Sequence, residues 1–113
     1  MADIEETLDG YQQAARALAV YPGQGNNAGL LYVTLGLAGE SGEFANKVKK
    51  LLRDGVTSDS RDKLIAELGD ALWYVAAAAS ELDIALADVA ERNLDKLRAR
   101  FDAGTLRGSG DDR

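Results

Sequence analysis

The chain has 113 residues, of which 46% are apolar, so it is long enough for one domain with a modest core and too short for two. Its net charge of −6 argues against binding along a nucleic-acid backbone, although an acidic protein can still bind a small anion through a cation. It contains no cysteine and no histidine, which excludes a disulfide framework, a thiolate nucleophile, cysteine-ligated zinc and the most common general base.

The composition also favours an all-α fold, because alanine is abundant, proline occurs once and β-branched runs are nearly absent. The longest apolar run, Ala71–Ala79, is far shorter than the ~20 residues that a membrane-spanning helix needs. The acidic first ten residues lack the basic and apolar regions of a signal peptide. We therefore expect a cytoplasmic protein.

Hydrophobic periodicity predicts four helices within a single all-α domain of residues 1–103. In chain order they cover about Ile4–Ala19, Leu30–Arg53, Arg61–Leu82 and Leu86–Phe101. The segment Tyr21–Gly29 is rich in glycine and asparagine and is predicted to be a loop. The fourth helix has an inner apolar stripe of Ala90, Leu94, Leu97 and Phe101. Residues 104–113 are a polar, glycine-rich tail.

Two pairs of acidic residues carry the strongest chemical signal. Glu40 and Glu43 are three positions apart on the second helix, and Glu67 and Asp70 are three apart on the third, so each pair shares a helix face. The short connection makes the two helices antiparallel neighbours, which predicts four carboxylates near one point. The third helix is otherwise apolar or small on all sides, which is typical of a buried helix. Buried carboxylates need cations.

Two kinds of cation fit this requirement. Lys47 and Lys50 continue the acidic stripe of the second helix and could form an ion-pair cluster with the carboxylates. A buried ion pair adds little net stability, however, which favours a metal ion. Carboxylates without nitrogen or sulfur ligands suit Mg²⁺, with Mn²⁺ as a substitute, whereas a di-iron bundle would need histidine. A carboxylate-held Mg²⁺ keeps positions for water and substrate phosphates, so the pattern indicates hydrolysis of a phosphate ester or phosphoanhydride.

The segments GLAGESGE and ELGDALWY, with 23 residues between Glu43 and Glu67, resemble the E-x-x-E…E-x-x-D signature of the MazG-like nucleoside triphosphate pyrophosphohydrolases. The spacing of Asn93, Lys96 and Arg100 and the GSGDDR ending also resemble stretches of this family. The resemblance implies Mg-dependent hydrolysis of an NTP or dNTP to the monophosphate and pyrophosphate, in a role that clears nucleotides from the pool. It implies a homodimer or homotetramer, which would complete a core like a four-helix bundle. The implied metal ligands and catalytic residues are Glu40, Glu43, Glu67 and Asp70.

The remaining polar side chains of these helices are candidates for substrate contacts. The predicted substrate-binding residues are Lys47, Tyr74, Asn93 and Lys96. Tyr74 follows Asp70 by one helical turn, so it could contact ribose or base. Trp73 points elsewhere and is predicted to lie in the core or at a subunit interface. Lys50 and Arg100 are interpreted as solvated.

Two alternatives stay open at this point. One is the related phosphoribosyl-ATP pyrophosphohydrolase, which the same resemblance covers because it shares the fold and the carboxylate chemistry. The other is a non-catalytic acidic helical interaction module, in which the carboxylates form only salt bridges.

Overall fold

The structure, a computed structural model, describes residues 7–104, and these form four α-helices. In chain order the helices are α1 (Leu8–Ala17), α2 (Asn27–Asp54), α3 (Ser60–Glu81) and α4 (Leu86–Asp102). The prediction of an all-α fold is confirmed. The start of the predicted first helix and residues 105–113 of the predicted tail lie outside the described residues. None of the described helices is long and apolar enough to cross a membrane.

Helices α2 and α3 form an antiparallel hairpin, as the short connection between them predicts. Gly55, with a φ of 91°, directly follows α2, and glycine adopts this backbone conformation without the strain that a side chain would add. Gly36 of α2 lies against the ring of Tyr74, and Lys47, three turns further along α2, reaches back to Glu67 of α3. These pairs run in opposite directions along the two helices, which brings the acidic faces of α2 and α3 together.

The core is small and consists of two clusters that meet at Trp73. The first joins α1 and the start of α4 to the last turns of α3, and the second joins the loop after α1 to α2 and α3. The buried members are Ala15, Ala76, Ala79 and Leu86 in the first cluster and Tyr21, Val33 and Ala77 in the second. Trp73 packs against both clusters, which confirms its prediction as a core residue. The alanines of α3 let the neighbouring helices approach closely because their side chains are small.

The prediction that α3 is buried on all sides is wrong for its first half. The exposed fractions of Ile65, Leu68 and Leu72 lie between 42% and 54%. Only the last turns of α3 contribute fully buried residues, because α1 and α4 join it there and leave α2 as the main neighbour of its first half. The apolar face of this first half is therefore uncovered within one chain.

Helix α4 is also less buried than its periodicity predicts. Only Leu86, at its start, belongs to the core, whereas Leu94 is exposed and Phe101 is 70% exposed. The helix packs against α1 and α3 at its beginning, and its later turns find no apolar partner among the described helices. The predicted inner stripe is thus wrong for these two side chains.

The start of α4 is capped by side chains from α1 rather than by its own N-cap residue. The N-cap position is Ala85, which has no polar side chain. Gln12 accepts a hydrogen bond from the backbone N–H of Leu86 at 2.8 Å, and Asp9 accepts one from that of Ala87 at 3.0 Å. These bonds satisfy amides that a helix N-terminus leaves without an intrahelical partner.

Candidate active site

Three carboxylates meet between α2 and α3. Glu40 on α2 and Glu67 and Asp70 on α3 each offer one carboxylate oxygen, and these oxygens all lie within 4.8 Å of one another. Glu40 and Glu67 are half-buried, whereas Asp70 is exposed. The antiparallel packing of the two helices therefore produces a group of hard oxygen donors that is open to solvent on one side.

The negative charges of these three acids repel one another. Burial raises the pKa of Glu40, and the negative charges of Asp70 and Glu67 raise it further. Each of these effects disfavours the ionised form of Glu40, so a cation between the carboxylates would relieve the repulsion. The described acids offer oxygen donors, and the chain has no histidine or cysteine to add nitrogen or sulfur. This donor set fits Mg²⁺ or Mn²⁺.

Glu43 does not belong to this group. Its side chain is exposed, and the three acids that come within 4.8 Å of one another do not include it. Glu67 and Asp70 have the same spacing of three residues and both belong to the group, so the packing of α2 against α3, and not the spacing alone, leaves Glu43 outside. The structure brings together three of the four predicted acids, and the role of Glu43 as a ligand stays a prediction.

Lys47 lies at the edge of the acidic group, where its Nζ is 3.5 Å from Oε1 of Glu67. The side chains of Lys47 and Glu67 are 33% and 14% exposed, so the pair is only partly shielded from water. The ion pairs described within residues 7–104 include Glu67 but neither Glu40 nor Asp70. The ion-pair interpretation thus accounts for one of the three carboxylates and leaves the other two.

Tyr74 stands beside the acids on the other side from Lys47. Its ring covers Gly36 so closely that a β-carbon at this position would overlap the ring. Burial raises the pKa of Tyr74, and the charges of Tyr32, Glu40 and Asp70 raise it further. The negative charges of the acidic site therefore act on the Tyr74 hydroxyl. A contact between Tyr74 and ribose or base stays a prediction.

Tyr74 is one member of an aromatic group that extends away from the acids. Its ring meets Trp73 edge-on at 5.2 Å between centroids, and Trp73 meets Tyr21 edge-on at 6.2 Å. Tyr21 stacks on Tyr32 at 5.5 Å with 9° between the ring planes. Tyr32 is 41% exposed, so the group presents an aromatic surface to solvent next to the site.

A buried carboxylate that the sequence analysis missed holds this aromatic group in place. The side chain of Glu81 is fully buried and accepts hydrogen bonds from the Tyr21 hydroxyl, from Arg16 at 2.9 Å and from the backbone N–H of Gly25 at 2.9 Å. The hydrogen bond from Tyr21 is the main cause of a lowered pKa at Glu81, and the bonds from Arg16 and Gly25 lower it further. Arg16 and Gly25 precede Glu81 by 65 and 56 positions, a separation that helical periodicity cannot detect.

The structure does not bring Asn93 and Lys96 to the acids. Both are exposed on α4, which packs against α1 and α3 and not against α2. No hydrogen bond or ion pair described for residues 7–104 connects either side chain to the acids. Their contact with substrate stays a prediction. Arg100, interpreted as solvated, is half-buried, whereas Lys50 is exposed as expected.

The fold and the site define an all-α protein in which three neighbouring carboxylates are suited to a divalent cation. Residues 29–104 match the family of the MazG nucleotide pyrophosphohydrolase domain. The chain therefore belongs to the MazG nucleotide pyrophosphohydrolase family, and the resemblance found in its sequence is confirmed. The chain is also 54% identical over 112 residues to Gene 37 protein of Mycobacterium phage L5, an alignment covering 94% of this chain and 98% of that relative. No solved structure matches it significantly.

Proposed function

We propose that the protein hydrolyses a nucleoside or deoxynucleoside triphosphate to the monophosphate and pyrophosphate. The observation that carries this proposal is the group of Glu40, Glu67 and Asp70, whose oxygens lie within 4.8 Å in a member of a nucleotide pyrophosphohydrolase family. Removal of unwanted nucleotides from the pool is the role we propose for this reaction. The chain has no cysteine that would require an oxidising compartment, which supports a cytoplasmic location.

Glu40, Glu67 and Asp70 would hold Mg²⁺, with Mn²⁺ as a substitute. When bound, the cation supplies charge stabilisation for phosphate oxygens and lowers the pKa of a water molecule. In the hydrolysis, the water oxygen forms a bond to one phosphorus of the α–β bridge and the bridging P–O bond breaks. The water proton passes to a neighbouring carboxylate or to solvent, and the bridging oxygen leaves with one product.

The side chains on the two sides of the acids bind different parts of the nucleotide. Lys47 donates charge-assisted hydrogen bonds to phosphate oxygens, which gain strength because both partners are ionised. Tyr74 contacts the ribose or base from the opposite side of the acids. This arrangement is supported by the Lys47–Glu67 contact and by the effect of Glu40 and Asp70 on the pKa of Tyr74, which burial raises first.

We also propose that the protein acts as a homodimer or homotetramer. Large apolar side chains are exposed along both helices of the hairpin, and uncovered apolar patches of this kind are typical of association surfaces. The exposed residues are Leu31 and Leu35 on α2 and Ile65, Leu68 and Leu72 on α3. Sedimentation of the purified protein tests this, since a monomer at micromolar concentration would contradict it.

The experiment that tests the function is a panel of the eight common nucleotides and phosphoribosyl-ATP, assayed for pyrophosphate and orthophosphate separately. We expect pyrophosphate from at least one nucleotide with Mg²⁺, activity with Mn²⁺, and no activity in EDTA. Orthophosphate alone, or no turnover across the panel, would contradict the proposal and favour a non-catalytic acidic helical interaction module. Turnover of phosphoribosyl-ATP alone would assign the protein to that alternative reaction.

A further inference from the structure

A cleft opens at the closed end of the α2–α3 hairpin, beyond the acidic group. Its cavity volume is about 270 Å³, and its walls come from the last turns of α2, the connecting loop and the first turn of α3. Three lysines line it, Lys47, Lys50 and Lys63, together with a single acidic residue, Asp54. The chain has a net charge of −6, so this cluster of lysines is opposite in sign to the charge of the protein as a whole.

The negative charge of Asp54 is already compensated. Arg53 donates two hydrogen bonds to it, from Nε to Oδ1 and from Nη2 to Oδ2, both at 2.7 Å. Lys63 pairs with Asp59 at 3.1 Å, but both side chains are more than half exposed, and an exposed pair of this kind is weak enough to rearrange around a ligand. The four cations at the cleft outnumber the acids paired with them, Asp54, Asp59 and Glu67, by one, so the cleft carries a small surplus of positive charge for an anion.

The cleft adjoins the acidic group at Lys47. This side chain lines the cleft and also contacts Glu67, one of the three acids. Lys50 follows Lys47 by about one helical turn, and Lys63 precedes Glu67 by about one turn on the facing helix, so the two lysines lie roughly 5–6 Å further along the hairpin. An anion leaving the acids in this direction meets lysines from both helices.

The chemical character of the side chains thus changes along the α2–α3 hairpin. Tyr32, Glu40 and Lys47 follow one another along α2 at intervals of about 12 Å and about 10 Å of helix. An exposed aromatic surface comes first, then the carboxylates, then the lysine cleft. A nucleotide has the same order of base, sugar and phosphates, so its terminal phosphates would point towards the lysines.

We infer that the cleft of Lys47, Lys50 and Lys63 binds the pyrophosphate product before its release. This inference rests on the proposed function for the source of the pyrophosphate, whereas binding of the anion can be measured without any turnover. Pyrophosphate is small, highly charged and rich in acceptor oxygens, and lysine ammonium groups are suited to such a ligand. The Ser60 hydroxyl and the positive end of the α3 helix dipole add to the same electrostatic environment.

The test is calorimetric titration of inorganic pyrophosphate into the protein without nucleotide, once in EDTA and once with Mg²⁺. The Lys50→Ala/Lys63→Ala double variant should bind pyrophosphate at least about tenfold more weakly than wild type in at least one buffer, since two charge-assisted contacts are lost. Lys49→Ala is the matched control, because Lys49 is exposed on the opposite side of α2 and does not line the cleft. This control removes one lysine charge, as each substitution of the double variant does, and should bind like wild type.

The inference would be overturned if wild type bound no pyrophosphate in either buffer, if the double variant bound it unchanged, or if Lys49→Ala weakened binding equally. Titration of a nucleoside monophosphate separates a pyrophosphate site from a general phosphate site, since equal weakening for both ligands would overturn the assignment to pyrophosphate. Thermal melts confirm that each variant folds, and Lys50→Ala alone replaces the double variant if that one does not. If nucleotides are hydrolysed but these titrations fail, the cleft inference falls and the proposed function stands.

Discussion

Lys47 and Glu67 form a 3.5 Å ion pair that joins the two charged regions of the hairpin. The same lysine borders the lysine cleft, so it is shared between the site that would hold a cation and the site that would hold an anion. Its charge therefore has opposite effects on the two ligands.

Lys47→Ala should separate these two effects. We expect kcat/KM to fall by one to two orders of magnitude, because a charge-assisted phosphate contact is worth ~1.5–3 kcal/mol. Mg²⁺ should bind more tightly, because a neighbouring positive charge has been removed from Glu67. The free energy of unfolding should change by less than about 1 kcal/mol, because the ion pair is partly exposed. Steady-state kinetics and Mg²⁺ titration check this against Lys49→Ala, and weaker Mg²⁺ binding in Lys47→Ala would contradict it.

Mg²⁺ should raise the melting temperature of wild type, because only the folded chain brings the three acids together. The gain in stability is about 2.7 kcal/mol at a hundredfold excess over Kd. Asp70→Asn should lose most of this gain and its activity, yet be at least as stable as wild type without metal, because no described lysine pairs with Asp70. Asp62→Asn, an exposed change on the same helix, should keep the gain. A wild type that ignores Mg²⁺ would rule out the metal site.

Two glycines on the same helix should respond in opposite ways to alanine. Gly36→Ala places a methyl group into the Tyr74 ring, so we expect a loss of ~1–3 kcal/mol in unfolding free energy and a displaced Tyr74. Gly39→Ala meets no atom within 4 Å and should gain up to about 1 kcal/mol, because alanine is the better helix former. Chemical denaturation measures both, and a stable Gly36→Ala with wild-type kinetics would show that Tyr74 moves without consequence.

Glu81→Gln should lower the unfolding free energy most at neutral pH. The pKa of Glu81 is lowered in the folded state, mainly by the hydrogen bond from Tyr21, so the ionised group stabilises the fold above its ordinary pKa of about 4.5. That contribution is lost as the pH falls through the folded-state pKa. The amide keeps one acceptor but loses the charge, which should lower the unfolding free energy by ~1–3 kcal/mol. Melting temperatures at pH 7 and pH 4 check this, and a deficit that does not shrink towards pH 4 would contradict it.

Lys96→Ala tests whether the substrate reaches α4. If Lys96 contacts a phosphate, kcat/KM should fall by one to two orders of magnitude, corresponding to ~1.5–3 kcal/mol, while the fold stays cooperative. Arg98→Ala is the control, because Arg98 is exposed on the opposite side of the same helix. Wild-type kinetics in Lys96→Ala would place Lys96 on a solvated face. Its position agrees with that outcome, because α4 does not pack against α2 within one chain.

The four helices and the antiparallel hairpin could be predicted from the sequence because both depend on short-range periodicity. The pairing of Glu40 with Glu67 and Asp70 followed from the same spacing. Glu43 is not in the group although Glu67 and Asp70, which have the same spacing of three residues, both are. Which acids converge therefore depends on how α2 packs against α3, and the spacing along one helix does not specify it.

The remaining features of the site depend on contacts that no local pattern encodes. Glu81 ends an apolar run in the sequence, and its partners Arg16, Tyr21 and Gly25 lie in or after α1. The exposure of Leu72 and Phe101 likewise depends on how many helices surround each turn, which periodicity does not specify. Lys50 is interpreted from the sequence as solvated and Lys63 belongs to no motif, and only the hairpin geometry brings them to one cleft.

The capping of α4 by α1 ties opposite ends of the chain into one cooperative unit. The amides of Leu86 and Ala87 bond to Gln12 and Asp9, which precede them by 74 and 78 positions. A terminal helical turn normally frays and exchanges its amide hydrogens quickly, whatever the rest of the protein does. Here exchange at Leu86 and Ala87 requires the detachment of α1, so deuterium uptake at these two amides reports the docking of the first helix.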